Sequence, residues 1–257
     1  KGFVSNQDIA ASQASVDRLH VDLEKKIGLG NEYLGWLHLP SSTPSSLIDS
    51  IITTQKEIRG KCDAFVCIGI GGSYMGARAA ISFLSPLFKQ SDSPDIYFAG
   101  HTMCSDYYSD LFRILDDKEV CVNVISKSGT TLEVAIAFRL LKSFMEKKYG
   151  KEESRKRIIV TTGHEINPLN SLSKEKGYQL YIIPEDIGGR FSVLTAAGLL
   201  PIAISGVDLH NLMDGALFAE DALTKTSDLG QNIAYRYAVN RYCLYQKGKT
   251  IELMATF

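Results

Sequence analysis

Five short apolar runs rich in β-branched residues, each followed by a stretch of helical periodicity, constrain this chain more than any other feature. The runs lie at 64–70, 95–99, 120–125, 157–162 and 178–183, and helical patterns follow them at 75–88, 105–116, 130–147, 168–176 and 193–204. Regular alternation of this kind marks a parallel sheet wrapped by crossover helices. The runs are apolar at consecutive positions, which suits strands buried on both faces, so helices are expected on both sides of the sheet. The expected architecture is therefore α/β: five parallel strands, doubly wound, in a three-layer αβα arrangement. In such sheets ligands bind beyond the carboxyl ends of the strands.

Upstream, residues 7–27 have the spacing of an amphipathic outer helix that Gly28 ends, and a Ser- and Pro-containing loop leads into a second helix over 45–58. Downstream of Gly206 the pattern changes to two helices, 208–223 and 229–247, then a strand over 250–257. These shifts divide the chain into amino-terminal helices (1–60), the α/β domain (61–207) and a connecting region opening a second domain (208–257), which is expected to be cut short. The first residue is Lys1, so the start is expected to be trimmed.

A net charge of -1, with no basic patch, argues against nucleic acid or an anionic membrane as the main partner and favours a small molecule. No apolar run approaches the roughly 20 residues of a membrane span. The five cysteines have no zinc-like spacing and are expected to be buried free thiols in a reducing, cytoplasmic setting; no metal or other cofactor is indicated.

Two strand-to-helix junctions carry anion-binding chemistry. In the first, the run Gly69-Ile70-Gly71-Gly72-Ser73-Tyr74 leaves the first strand. Its glycines permit close backbone approach, and a new helix offers unpaired N–H groups to an anion, with Ser73 as a hydroxyl donor or N-cap. The spacing excludes a dinucleotide fingerprint, since Tyr74 stands where a third glycine belongs, and a P-loop, since Ala77 stands where Lys is required. In the second, Ser126-Lys127-Ser128-Gly129-Thr130-Thr131-Leu132-Glu133 brings hydroxyls, one Lys and one Gly to a helix amino terminus, which suits a terminal phosphate monoester. The plainer alternative is a capping box made by Thr130 and Glu133.

That second run resembles the phosphosugar loop of sugar isomerase (SIS) domains, a group that includes isomerases, an aminosugar synthase and regulators that only bind. The segment Pro184-Glu185-Asp186-Ile187-Gly188-Gly189-Arg190-Phe191-Ser192-Val193-Leu194-Thr195 resembles the signature of the glucose-6-phosphate isomerase family, bacterial type. With Gly69–Ser73 and the hydroxyl loop in the same order, and Gly35-Trp36-Leu37 upstream, the resemblance covers nearly the whole chain. It implies an SIS, flavodoxin-like domain acting on hexose 6-phosphate. It further implies reversible conversion of glucose 6-phosphate to fructose 6-phosphate through an enediolate, in glycolysis and gluconeogenesis, by a homodimer with shared active sites and without a cofactor. By the same carry-over, Gly72 and Ser73 contact the sugar phosphate, Ser126, Lys127, Ser128, Thr130 and Thr131 surround the phosphate, and Gly189 and Arg190 lie beside the reacting carbons. A guanidinium held after a glycine pair can stabilise a developing oxyanion without titrating.

The family's base lies in a Glu-Ser-Asn-Gly or Glu-Ser-Glu-Gly motif, and neither occurs here. Glu133 is expected to cap its helix, Glu185 and Asp186 precede the glycine turn, and His20, His38, His101, His164 and His210 are expected on the surface or in packing. The chain by itself is thus expected to show little or no turnover. A non-catalytic phosphosugar-binding or regulatory SIS module is the competing expectation, and a mannose 6-phosphate isomerase or a transaldolase fusion partner is a third; the loops do not read sugar stereochemistry.

Overall fold

The computed structural model describes residues 3–86, 88, 93–164 and 166–255. Its elements in chain order are α1 (Asn6–Glu24), α2 (Leu39–Ser42), α3 (Ser45–Arg59), β1 (Ala64–Ile68), α4 (Met75–Leu84), β2 (Asp95–Ala99), α5 (Ser105–Leu115), β3 (Val120–Ser126), α6 (Leu132–Arg155), β4 (Ile158–Gly163), α7 (Pro168–Lys176), β5 (Gln179–Ile183), α8 (Ala196–Ile204), α9 (Leu209–Thr224) and α10 (Ile233–Gln246). The chain forms two compact units, His38–Met213 and a second made from Lys1–Leu37 with Asp214–Phe257.

The larger unit is built on a five-stranded sheet of order β2-β1-β3-β4-β5, with every pairing parallel. Successive side chains along each strand feed two separate cores, because a strand points alternate residues to opposite faces. On one face Ala64, Val66, Ile68, Val122, Val124 and Val160 pack with residues of α5, α6 and α7. On the other, Phe65, Cys67, Cys121 and Ile159 pack with residues of α3, α4 and α8. The three-layer expectation from the apolar runs is met. Helix α8 is buried at every position, so it is apolar all round, as a helix enclosed on all sides must be.

Polar contacts pin α3 to the edge strand. The Tyr181 hydroxyl on β5 lies 2.8 Å from Thr54 Oγ1 and donates to the Ser50 carbonyl at 3.1 Å, while Gln179 Nε2 donates to Thr54 Oγ1. Tyr181 is 5% exposed, and removing one partner of a buried hydrogen bond costs about 1–3 kcal/mol. Tyr181→Phe is therefore expected to lower the melting temperature by roughly 2–12 °C, read by calorimetry; an unchanged value would show that water already serves these groups.

In the smaller unit, Leu229, Val239 and Cys243 form a core with Val4, Ile9, Val16 and Tyr235. Helix α1 opens with a reciprocal capping box: Asp8 N donates to Ser5 Oγ at 3.1 Å and Ser5 N donates to Asp8 Oδ2 at 2.8 Å. Lys247 reaches the same carboxylate, and with these bonds it holds the Asp8 pKa at about 2.

Four expectations need correction. The strand expected over 250–257 does not form across described residues 250–255, where Ile251, Leu253 and Met254 are exposed; an apolar run becomes a strand only with an edge to pair with, and residues 256 and 257 lie outside the described set. Helix α1 stops at Glu24, before Gly28. Helix α4 ends at Leu84 because Ser85 precedes Pro86 and takes the extended backbone that a following proline imposes. Cys104 is exposed, whereas the other four cysteines are buried.

Candidate functional site

The strand order places the site. From β1 the chain crosses outward to β2, and from β3 it crosses the opposite way to β4, so the carboxyl ends of β1 and β3 flank the point where a doubly wound sheet leaves a crevice. The glycine turn leaves β1 there and the hydroxyl loop leaves β3.

The hydroxyl loop is tightly folded. Ser126 Oγ lies 3.2 Å from Thr131 Oγ1 and accepts from Gly129 N at 3.2 Å, while Thr130 N and Thr130 Oγ1 both donate to Ser128 Oγ, at 3.3 and 3.1 Å. Gly129 is left-handed at φ +67°, and a Cβ there would stand 2.1 Å from Asn167 Oδ1. Asn167 caps α7 by accepting from Asn170 N at 2.9 Å. Beneath the loop, Thr162 Oγ1 donates to the Ser126 carbonyl at 2.6 Å and Gly163 N to the Lys127 carbonyl at 3.0 Å. A cavity of about 290 Å³ opens under it between α6 and α7, where Ser126, Gly129 and Thr131 meet Phe138, Arg139 and Leu169.

The capping-box alternative is not what the helix uses. The N-cap of α6 is Thr131, and its side chain makes no capping hydrogen bond among the described residues. Thr130 turns its hydroxyl to Ser128, and Glu133 sits in the first turn without capping. The first amides of α6 therefore remain open to an anion.

Residues 184–188 form a strap from the sheet edge to the glycine turn. Ile187, 1% exposed, anchors it, and Gly189–Leu194 then form a 3₁₀ turn. That turn lies against Gly71–Ser73, itself a 3₁₀ turn followed by Tyr74, the N-cap of α4, so Ser73 precedes the cap rather than being it. A Cβ on Gly72 would meet the Gly189 carbonyl oxygen at 1.9 Å and Arg190 N at 2.9 Å. Ser192 Oγ lies 2.7 Å from the Gly189 oxygen and 3.2 Å from the Gly72 oxygen, tying both turns together. Two candidate segments far apart in sequence, Gly72-Ser73 and Gly189-Arg190, are thus in contact. Arg190 itself is exposed.

Lys127 is placed differently from its loop neighbours. Its ammonium donates to the Glu185 carbonyl at 2.5 Å and the Ile187 carbonyl at 3.1 Å, and lies 3.7 Å from Glu185 Oε2. The other carboxylate oxygen of Glu185 accepts from His164 N at 2.8 Å. The sequence reading assigned no site role to Ser192, Asn167 or Glu185. Of these only Asn167 carried a local signal, an Asn before a Pro-initiated helix.

His101, just beyond β2, stacks on Tyr74 with ring centroids 5.2 Å apart and meets the Tyr107 ring edge-on. Its Nδ1 is buried without a hydrogen-bond partner among the described residues. Desolvation first, then the Arg78 charge, holds its pKa below the ordinary histidine value.

A parallel sheet with a hydroxyl-rich loop at its switch point and a glycine-arginine turn beside it defines an SIS-type α/β fold. The sequence profile of the phosphoglucose isomerase family matches residues 47–249, and the chain belongs to that family. Curated relatives agree: the glucose-6-phosphate isomerase of Clostridioides difficile (strain 630) is 47% identical over 99% of this chain, and that of Shouchella clausii (strain KSM-K16) is likewise 47% identical. In both cases the chain spans 58% of the relative's length. Among solved structures, a hypothetical protein from Thermus thermophilus superposes with a TM-score of 0.79 at 26% identity, covering 96% of this chain and 55% of that one. A glucose-6-phosphate isomerase from Chlamydia trachomatis, at 24% identity and a TM-score of 0.65 over 77% of this chain and 37% of that one, shares the fold.

Proposed function

We propose that this chain carries the hexose 6-phosphate grip and the enediolate-stabilising arginine of a glucose 6-phosphate to fructose 6-phosphate isomerase acting in glycolysis and gluconeogenesis. The observation that carries the reading is the contact between the Gly72-Ser73 turn and the Gly189-Arg190 turn at the carboxyl edge of the sheet. It sets an exposed guanidinium beside a backbone able to approach a sugar phosphate.

In this reading the hydroxyls of Ser126, Ser128, Thr130 and Thr131, with the open amides of α6, take the phosphate oxygens. Gly72 and Ser73 hold the sugar end, and Gly189 and Arg190 face C1 and C2. Isomerisation removes the C2 proton, forms an enediolate and returns the proton at C1. Negative charge grows on the former carbonyl oxygen, and a fixed cation stabilises it more in the transition state than in the ground state. Glu185 is occupied with Lys127 and His164 N, so it is not assigned as the base. We assign the proton-moving carboxylate and the ring-opening histidine to the part of the family's length that this chain does not span. A homodimer is proposed with it.

The test is thermal stabilisation by glucose 6-phosphate, fructose 6-phosphate and unphosphorylated glucose. At a hundredfold excess over Kd the phosphorylated sugars should stabilise by about 2.7 kcal/mol, roughly 5–10 °C for a chain of this size, and glucose should not. The same sample should show no turnover. Equal responses to glucose and glucose 6-phosphate would sink the phosphate grip, and measurable isomerisation would show that the base lies in this chain. A shift that survives Arg190→Ala undiminished, for substrate and transition-state mimic alike, would favour a binding module.

A further inference from the structure

We propose that Lys127 is a positioning residue: its ammonium clasps the 184–188 strap and thereby sets where Arg190 stands, leaving the phosphate to the loop's hydroxyls and amides. This rests on the reading of Arg190 given above. A lysine in a hydroxyl loop invites assignment to the phosphate, but its ammonium donates to two carbonyls of the strap, those of Glu185 and Ile187, and stands 3.7 Å from Glu185 Oε2 as an ion pair.

The topology explains why such a clasp is useful. Strand β5 is the sheet edge, three places from β1, and adjacent strands are about 4.8 Å apart, so the strap must run roughly 14 Å across the ends of β4 and β3 to bring Gly189 against Gly72. Within the strap the backbone closes one turn of its own, Ile187 N to the Pro184 carbonyl at 3.3 Å. Lys127, on the loop after β3, meets it midway. A second contact fixes the same crossing, because Glu185 Oε1 accepts from His164 N. Gly163 leaves room for both, since a Cβ there would stand 2.6 Å from Glu185 Oε1 and 2.7 Å from the Lys127 carbonyl. The loops after β3, β4 and β5 are thus laced together through Lys127 and Glu185, and the lacing ends two residues before the Gly189-Arg190 pair.

The experiment compares wild-type chain with Lys127→Met by hydrogen exchange without ligand and by calorimetric titration of inorganic phosphate. Exchange of the 187–191 amides should accelerate by about tenfold or more while the sheet amides hold their rates. The phosphate Kd should move by less than about threefold. Unchanged exchange at 187–191 overturns the proposal, as does a phosphate Kd weakened by about tenfold or more whatever the exchange does. If wild type binds no phosphate, the phosphate-site reading falls, and exchange alone still decides the clasp. Should Lys127→Met be too unstable to purify, Lys127→Gln, which keeps an amide NH₂ on a shorter side chain without the charge, should give intermediate exchange; wild-type rates in it would overturn the clasp.

Discussion

Gly72→Ala is expected to lower the melting temperature by roughly 2–12 °C and to abolish stabilisation by hexose 6-phosphates, although it adds one methyl group at the surface end of the sheet. The added carbon would stand 1.9 Å from the Gly189 oxygen and 2.2 Å from its carbonyl carbon. Both are backbone atoms, so no side-chain rotation relieves the overlap; one of the two turns has to retreat. The strap is held by buried Ile187 and by Lys127, and the glycine turn by its continuity with buried β1. Either retreat breaks packing worth about 1–3 kcal/mol, and it separates Gly72-Ser73 from Gly189-Arg190. Gly60→Ala serves as the control, because its Cβ would find only ordinary contacts at 3.7 Å. Equal melting temperatures for the two variants, with the hexose-phosphate response intact in both, would show that the turns part at little cost.

The sheet was legible because its evidence is local: consecutive apolar residues with helical stretches between them allow little else, and both strand faces are covered as that pattern requires. The hydroxyl loop was legible for the same reason, as was Gly72 as a site of close backbone approach. What a single sequence conceals is the identity of the approaching partner. Gly72 looks like a glycine making room for a ligand, yet in the folded chain the nearest atoms are those of Gly189, 117 positions away in the numbering. Lys127 looks like a counter-charge for phosphate, and its ammonium lies on carbonyls 58 and 60 residues downstream. Thr130 and Glu133 have capping-box spacing, but the helix starts one residue later, at N-cap Thr131, and Thr130 turns to Ser128. The expected terminal strand failed on the same ground: an apolar run proposes a strand, and only a neighbouring edge makes one. Local chemistry could be read where one segment supplies it, and not where two distant segments meet.

Gly129→Ala is expected to weaken phosphate binding by at least about tenfold and to cost roughly 2–4 kcal/mol of stability, from two separable causes. One is conformational. At φ +67° the backbone is left-handed, which suits glycine and strains alanine. The other is steric, since the new Cβ would stand 2.1 Å from Asn167 Oδ1, the atom that caps α7 through Asn170 N. Moving Asn167 loses that cap, worth about 1 kcal/mol, and moving the loop instead turns Gly129 N away from Ser126 Oγ and disperses the hydroxyls. Asn167→Ala separates the causes. Alone it should cost about 1 kcal/mol and leave the phosphate Kd within about threefold, because the loop keeps its glycine. Combined with Gly129→Ala it removes the side chain that the new methyl strikes, so the double variant should be more stable than the sum of the single losses, the excess measuring the steric part. Strict additivity would place the whole cost in the left-handed backbone. Recovery of phosphate affinity in the double variant would show that the loop tolerates alanine once Asn167 gives way, and that its anion site depends on the shape of the 126–131 backbone rather than on glycine itself.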